Sequence, residues 1–381
     1  MLRTVSEKIG TVTNYNSNQS STDMFLSKKL ANNVKHKITP SILTIFGLAF
    51  TGCQSIRNIS IASAQSRPTI VVTHKVLCDF VETIAQDTVD LTCLIEKGQD
   101  PHTFRPAPSH RKAIEKAQAV FYGGYDLEPK IAEILKPIAK QKPVIAVHEE
   151  AVSNPIITKA HHHEEHGHEE HGHEEHGHEE HGHEEHGHKE EKAETAPDPH
   201  VWHDVDNAIA IVKYLHSSLL KINPAQADIY VANTNSLLNN LTQLHPWIQD
   251  QVATIPEGKK TLVTTHNSLN YFVQGYEFDE YETLQGLNPE DSPSAQDLKK
   301  LVQTIKAKQI PTVFAENTAE DRVIKNVAKE ANIKLSDRKL WVDGLGTEGS
   351  NTDNYTKMMI YNTCTIAEGL GGSCQPFSGN Q

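Results

Sequence analysis

Three histidines and one aspartate stand at positions of the sequence where a metal ion could be held. His102, His200 and His266 each lie where a predicted strand or loop gives way to a predicted helix. Asp343 follows a late predicted strand, in the segment LWVDGLG. Ligands of α/β sheets bind at such strand ends, and imidazole nitrogen and carboxylate oxygen are donors that suit tetrahedral zinc. The four residues therefore form a candidate zinc site, although each one alone is also explained as a solvated loop residue or a turn former.

A fifth candidate is His203, which lies three residues after His200. Spacing alone allows it to be a ligand. We favour the simpler interpretation that its side chain packs or faces solvent.

The segment 161–188 has a composition that excludes a packed core. It contains thirteen histidines, ten glutamates and five glycines and no apolar residue, arranged largely as five EEHGH units. A repeat of five matches neither a helix nor a strand, so we predict a disordered loop over 160–192. Such a loop serves as a spacer, a solubilising segment or a set of additional metal ligands. The histidines are His161, His162, His163, His166, His168, His171, His173, His176, His178, His181, His183, His186 and His188.

The elements that must position these residues alternate between short apolar runs and amphipathic stretches. This alternation predicts an α/β fold with mainly parallel sheets. We expect two α/β lobes, over 65–222 and 256–381, joined by one long rigid helix over 223–255, with the metal site in the cleft between them. At 1.5 Å per residue that helix is about 45 Å long, enough to run along a whole molecule. The segment 340–346 is predicted as a strand that runs into a turn.

The N-terminal residues 1–64 are predicted to be an export signal. A basic stretch over 28–37 precedes a mostly apolar run over 41–52, and two cleavage sites compete after it. The sequence FTGC places one site at Cys53, which resembles a lipid-anchored cysteine, and ASA places the other before Gln65. A membrane anchor is the alternative, but the run is shorter than the roughly 20 residues that span a bilayer. We therefore expect a periplasmic protein, with lipid attachment at Cys53 as one form.

The remaining cysteines are even in number, which suits disulfides in an oxidising compartment. Cys364 and Cys374 flank TIAEGLGGS, whose glycines allow a turn, and predict a C-terminal disulfide. Cys78 and Cys93 are either a second disulfide or two buried thiols.

The charge distribution gives no sign of a nucleic-acid partner. Residues 161–190 carry eleven glutamates and one lysine, and hence −10 of the formal net charge of −13. Outside the signal region, where residues 1–52 have a net charge of +4, no basic patch of the kind that binds nucleic acid is present in the sequence.

Several motifs taken together resemble the metal-binding receptors of bacterial ABC importers, the cluster A-I or cluster 9 family. DPH and PAPS around His102, DPHVW around His200, the strand that ends in His266, and FAEN and WVDGLG occur in the family's order, over roughly 68–374. The resemblance implies two lobes, a rigid linking helix and one metal in the cleft. His102, His200, His266 and Asp343 fall on the four ligand positions. His203 stands where the family commonly has an apolar residue.

The third ligand position indicates the metal. Manganese receptors of the family have Glu there, whereas zinc receptors have His, as at His266; imidazole suits Zn²⁺ and carboxylate suits Mn²⁺. A histidine-rich acidic loop is typical of the zinc (ZnuA-type) branch. The resemblance therefore implies a monomeric periplasmic receptor that binds Zn²⁺ with high affinity. It would deliver the ion to a membrane permease with a separate ATPase, since the chain has no P-loop. The loop over 161–188 would supply weaker zinc sites.

Two other functions compete with this one. An extracytoplasmic zinc storage or adhesion protein would use the histidine-rich loop as its main site. A zinc hydrolase would need an open coordination position, and the sequence contains no H-E-x-x-H motif. We therefore expect no enzyme activity.

Overall fold

The first lobe is built around a parallel sheet. The structure, a computed structural model, describes residues 66–159, 195–289 and 293–379. Within these residues the sheet has the strand order β2-β1-β3-β4, and every neighbouring pair is parallel. Helices connect the strands, as the alternating pattern predicts. The elements are β1 (Thr69–Val72), α1 (Lys75–Ala85), β2 (Asp90–Cys93), α2 (Pro108–Lys116), β3 (Ala119–Tyr122), α3 (Pro129–Ile138), β4 (Val144–Ala146) and α4 (Val147–Ala151).

A short antiparallel ribbon follows, formed by β5 (Ile157–Lys159) and β6 (Thr195–Pro197). These two strands enclose residues 160–194, so the predicted disordered loop lies outside the described residues. The ribbon itself was not predicted. Helix α5 (Val205–Ile222) completes the lobe, with the Asp204 side chain accepting a hydrogen bond from the Asp206 amide at its start.

The long helix that joins the lobes is α6 (Ala227–Ala253), preceded by a single 3₁₀ turn over Pro224–Gln226. From Leu241 to Val252 its buried apolar residues recur every three or four positions, which places one face of the helix against the core. The predicted helix over 223–255 is thus confirmed with slightly shorter ends. The buried apolar residues of α6 are Tyr230, Leu241, Leu244, Ile248 and Val252.

The second lobe repeats the alternation with shorter strands. Strands β7 and β8 form one parallel pair, and β9 and β10 form another. The amide of Phe314 donates to the carbonyl of Val263, which connects the two pairs. The elements are β7 (Thr261–Thr264), α7 (Asn270–Gly275), β8 (Glu280–Thr283), α8 (Ala295–Ala307), β9 (Thr312–Val313), α9 (Arg322–Ala331), β10 (Lys334–Leu335) and α10 (Tyr355–Gly369).

One apolar core runs through both lobes. The same buried cluster contains Ile70 of β1, Leu215 of α5, Ile248 of α6, Leu262 of β7 and Met358 of α10. The two lobes therefore pack against the same helix and are not joined by a flexible linker alone. Among the residues that the structure describes, no helix is both long enough and apolar enough to cross a membrane.

The predicted strand over 340–346 is wrong. Within the described residues 293–379, this segment makes only an isolated bridge between Leu340 and Glu316 and otherwise forms a loop. The Trp341 carbonyl accepts from the Asn362 side chain. The carbonyls of Val342 and Asp343 accept from side chains of the other lobe, His203 and His74.

Both pairs of cysteines form disulfides. Cys364 and Cys374 are bonded, as predicted, and so are Cys78 and Cys93, which resolves the second pair in favour of a bond. The bond between Cys364 and Cys374 joins α10 to the C-terminal segment. That segment packs on the end of α6, where the Gln375 amide donates to the Gln251 side chain.

Candidate metal centre

The four candidate ligands meet at the carboxyl ends of strands from both lobes. His102 lies in the loop between β2 and α2, and His200 lies three residues after β6, at the start of a 3₁₀ turn. His266 lies two residues after β7, and Asp343 lies in the loop between β10 and α10. Each lobe thus contributes two residues, as expected for ligands that bind at strand ends.

The donor atoms of these residues lie close enough together to share one metal ion. All of them lie within 4.8 Å of one another. Donors about 2.0–2.1 Å from a central ion would be roughly 3.3–3.4 Å apart. The observed distances fall around that value: 3.1 Å for His102 Nε2–His200 Nε2, 3.6 Å for His102 Nε2–Asp343 Oδ1, 3.4 Å for His200 Nε2–Asp343 Oδ1 and 3.5 Å for His266 Nε2–Asp343 Oδ1.

Burial makes this arrangement costly without a cation. The side chains of His200, His266 and Asp343 are fully buried, and that of His102 is 7% exposed. Among the described residues, His266 Nε2 and Asp343 Oδ1 have no hydrogen-bond partner. Unpaired buried polar atoms are rare and unfavourable. These two atoms would gain a partner if a metal ion were bound between the four side chains.

Carboxylates behind the imidazoles fix their orientation. His200 Nδ1 lies 2.7 Å from Asp198 Oδ1, and His266 Nδ1 lies 2.5 Å from Glu316 Oε2. Asp198 is held in turn by the Asn270 side-chain amide, at 2.8 Å. A carboxylate that accepts the Nδ1 proton leaves Nε2 as the free donor and makes it more basic. Both rings therefore present Nε2 to the centre.

The acidic and imidazole side chains of the site stabilise one another in their charged forms. Burial alone would raise the pKa of Asp343, but the imidazoles, His266 first, hold it well below its usual range. Burial opposes protonation of His266, yet Glu316 and Asp343 raise its pKa well above the usual value. Burial likewise opposes protonation of His200, but Asp198 and Asp343 together raise its pKa. A cation in the centre would replace protons on these rings, so metal binding here competes with protonation.

His203 does not join the four donors. It is fully buried, and its Nε2 lies 2.9 Å from the Val342 carbonyl. The interpretation that His203 packs is therefore the one that the structure favours.

The sequence did not assign the residues that support the ligands. Asp198 belongs to the motif DPH and Glu316 to the motif FAEN, but both motifs were recognised only as family signatures. Thr318 donates to the second oxygen of Asp343, at 2.7 Å, and carries no signal in the sequence.

Comparison with known proteins identifies the family. Residues 70–369 match the family described as zinc-uptake complex component A, periplasmic. The chain belongs to this family. The members of this family are solute-binding receptors and not enzymes, so the hydrolase interpretation is wrong. They are extracytoplasmic proteins, as predicted.

Curated relatives are similar over most of the chain. The manganese-binding lipoprotein MntA of Halalkalibacterium halodurans is 28% identical over 301 residues, which cover 79% of this chain and 88% of that protein. The manganese ABC transporter substrate-binding lipoprotein scaA of Streptococcus gordonii is 27% identical over 338 residues, which cover 86% and 97%.

Solved structures confirm the two-lobe fold. The periplasmic zinc-binding protein TroA from Treponema pallidum has a TM-score of 0.67 at 24% identity, over 80% of this chain and 99% of that one. The Fe(III)-bound YtgA from Chlamydia trachomatis has a TM-score of 0.65 at 23% identity, over 81% and 100%. These proteins are named for manganese, zinc and iron. Similarity therefore gives the fold and the class of metal receptor, and the choice of metal has to be argued from the site.

Proposed function

We propose that this chain is a high-affinity zinc receptor of an ABC importer. It captures Zn²⁺ with His102, His200, His266 and Asp343 and passes the ion to a membrane permease, whose ATPase is a separate chain. The observation that carries the proposal is the spacing of the donor atoms: four of their six pairwise distances are 3.1–3.6 Å, and all lie within 4.8 Å, which suits a tetrahedral ion of zinc's bond lengths.

The donor set favours zinc over manganese. Three imidazoles and one carboxylate are borderline donors of the kind that Zn²⁺ prefers, whereas Mn²⁺ prefers several oxygens and octahedral geometry. The other nearby carboxylates are already engaged: Asp198 faces His200, and Glu316 accepts from the ring and the backbone amide of His266. Four donors also fill a tetrahedron, which suits capture of an ion and not catalysis by one.

Competition between the two metals tests the proposal. The chain without residues 161–190 is titrated with Zn²⁺ and Mn²⁺ against a chelator of known affinity. We expect one tight zinc site and a much weaker manganese site. A site that prefers Mn²⁺, as the names of the relatives would suggest, contradicts the proposal.

The histidine-rich segment supplies secondary zinc sites in this proposal. Its repeating EEHGH units offer thirteen imidazoles, more than one ion needs. The composition of the segment predicts disorder, and disordered ligands must be ordered on binding, so we expect each of these ions to bind more weakly than one in a preformed site. Calorimetry should show several weak sites in the full chain and their loss on deletion of 161–190. A deletion variant that has lost the tight site as well would show that the segment contributes ligands to the cleft. Weak sites that hold most of the zinc under physiological conditions would favour storage over delivery.

The N-terminal signal lies outside the described residues. We propose that it directs export, with Cys53 as the lipid-modified residue of the mature protein. The relatives named above are lipoproteins, and FTGC supplies a cysteine at the cleavage site. Mass spectrometry of the mature N-terminus distinguishes a diacylglyceryl Cys53 from an unmodified chain that begins at Gln65.

A further inference from the structure

Two histidines outside the ligand set bind the backbone of the loop that carries Asp343. His203 Nε2 lies 2.9 Å from the Val342 carbonyl, and His74 Nε2 lies 3.1 Å from the Asp343 carbonyl. His74 stands between β1 and α1, and His203 ends the 3₁₀ turn that begins after His200. Both histidines belong to the first lobe, whereas the loop belongs to the second.

These contacts fix the direction in which the Asp343 side chain leaves the backbone. Each peptide unit is planar, and the two carbonyls belong to the units immediately before and after the Asp343 Cα. Holding both planes fixes the two backbone dihedral angles of Asp343 and hence the direction of its Cα–Cβ bond. Thr318 then holds Oδ2, and Oδ1 is left facing the three imidazoles.

The two rings are themselves held rigidly. Both are fully buried against Trp202, with ring centroids 4.4 Å from it for His74 and 5.3 Å for His203. A carbonyl oxygen only accepts, so each ring must carry its proton on Nε2. Each ring is thus a single donor in a fixed place.

We propose that His74 and His203 are positioning residues that hold Asp343 in its ligand position from the opposite lobe. This inference rests on the proposed role of Asp343 as a zinc ligand. The two contacts would hold the fourth ligand in place before the ion binds, and a preformed site binds more tightly than one that must be ordered. Loss of partners that orient metal ligands typically lowers metal affinity by about 10–100-fold.

Matched substitutions separate the hydrogen bond from packing. Gln and Met have similar length and volume, but only Gln carries an N–H donor. We would compare His74→Met with His74→Gln, and His203→Met with His203→Gln, in the full chain. The control is His148→Met: His148 is also fully buried and lies 5.3 Å from the Trp202 ring, but within the described residues it makes no hydrogen bond to either carbonyl.

The readouts are zinc affinity, by competition with a chelator, and the visible absorption spectrum with one equivalent of Co²⁺, which reports the coordination geometry. We expect the Met variants to bind zinc about 10–100-fold more weakly and to change the cobalt spectrum. The Gln variants should recover most of the affinity, and His148→Met should match the wild type in both readouts. Folded Met variants with wild-type affinity and spectrum, or a His148→Met variant that loses as much, would overturn the proposal.

A second measurement needs no variant and decides the matter if the Met variants fail to fold. Nitrogen-15 correlation spectra of the wild-type imidazoles should show slowly exchanging Nε2–H protons on His74 and His203. Nδ1–H tautomers, which have no proton on Nε2, would contradict the contacts on which the inference depends. A wild-type chain that binds no zinc would instead refute the proposed function, and these outcomes are distinguishable.

Discussion

In the proposed zinc site, the side chain at position 266 determines whether the third donor atom is nitrogen or oxygen. In the proposed site His266, oriented by Glu316, would supply a neutral nitrogen donor, so that the ion would have three nitrogens and one oxygen. Replacing that nitrogen with a carboxylate would give two nitrogens and at least two oxygens, a set closer to the preference of Mn²⁺.

We predict that His266→Glu weakens zinc binding and shifts the preference toward Mn²⁺. His266→Gln is the control, because it removes the imidazole without adding a charge and should weaken zinc binding without favouring manganese. Glu316 lies 2.5 Å from the ring that is replaced, so the shift should be clearer in combination with Glu316→Gln, which removes the like charge. Competition titration of the two metals measures the effect, and an unchanged zinc preference speaks against His266 as a ligand.

A second prediction concerns Glu316 itself. Glu316→Gln removes the negative charge that orients His266 and makes its Nε2 more basic, so zinc affinity should fall by about 10–100-fold. Asp337→Asn removes an exposed carboxylate from the same lobe and should leave the affinity unchanged. If both variants bind zinc equally well, Glu316 does not support the site.

The sequence predicted the candidate ligands better than the residues that support them. His102, His200, His266 and Asp343 could be selected because strand ends are visible in the pattern of the chain and because the motifs resemble a family. The role of Thr318 depends on a contact between residues 25 positions apart, and those of His74 and His203 depend on contacts 269 and 139 positions apart. Periodicity along the chain carries no information on such contacts.

At the level of elements, helix α3 begins at a buried acid. Glu128 precedes the helix and is 2% exposed, with Oε1 accepting from the Thr73 hydroxyl at 2.6 Å. Burial raises the pKa of Glu128 to about 7, from 4.5. The folded protein therefore holds this proton more tightly than the unfolded chain. The stabilisation is fully present below pH 4.5 and is lost as the pH rises to about 7.

We predict that Glu128→Gln, which mimics the protonated acid, is more stable than the wild type at pH 8. The difference in the free energy of unfolding should be on the order of 3 kcal/mol there, at 1.36 kcal/mol per pKa unit, and should vanish below pH 4.5. Glu133→Gln, at an exposed position of the same helix, should show no such pH dependence. Denaturant unfolding of metal-free protein over this pH range is the measurement; a constant difference would refute the assignment.

The apolar period of the sequence predicts helices over 204–222, 295–309 and 354–370, and α5, α8 and α10 match these ranges nearly to their ends. The failures have physical causes. Strand β10 was not predicted, because its two residues are too few for a period to be visible. Strands β5 and β6 pair across a segment of 35 undescribed residues, so nothing local indicates their pairing. The segment 340–346 has the composition of a strand, but its Val342 and Asp343 carbonyls bind imidazoles of the other lobe.

At the level of the whole molecule, the shared core limits motion between the lobes. Helix α6 packs on both lobes, and apolar residues of each belong to one buried cluster. Opening the lobes widely would expose that surface to water, which costs about 25 cal/mol per Å² of apolar area.

We therefore predict that zinc causes only small, local changes, near His200 and the turn after His266. Small-angle scattering of the variant without residues 161–190 should give nearly the same radius of gyration with and without zinc. A large compaction on zinc addition would mean that the lobes close around the ion as a hinge.

The central claim is that His102, His200, His266 and Asp343 hold one zinc ion in a tetrahedron. X-ray absorption at the zinc edge, on the variant without residues 161–190 loaded with one equivalent, tests it most directly. We predict four nitrogen or oxygen neighbours at about 2.0–2.1 Å, with the scattering pattern of three imidazoles, and a changed first shell in Asp343→Ala. A six-coordinate oxygen-rich spectrum, or a spectrum that Asp343→Ala leaves unchanged, would contradict the account.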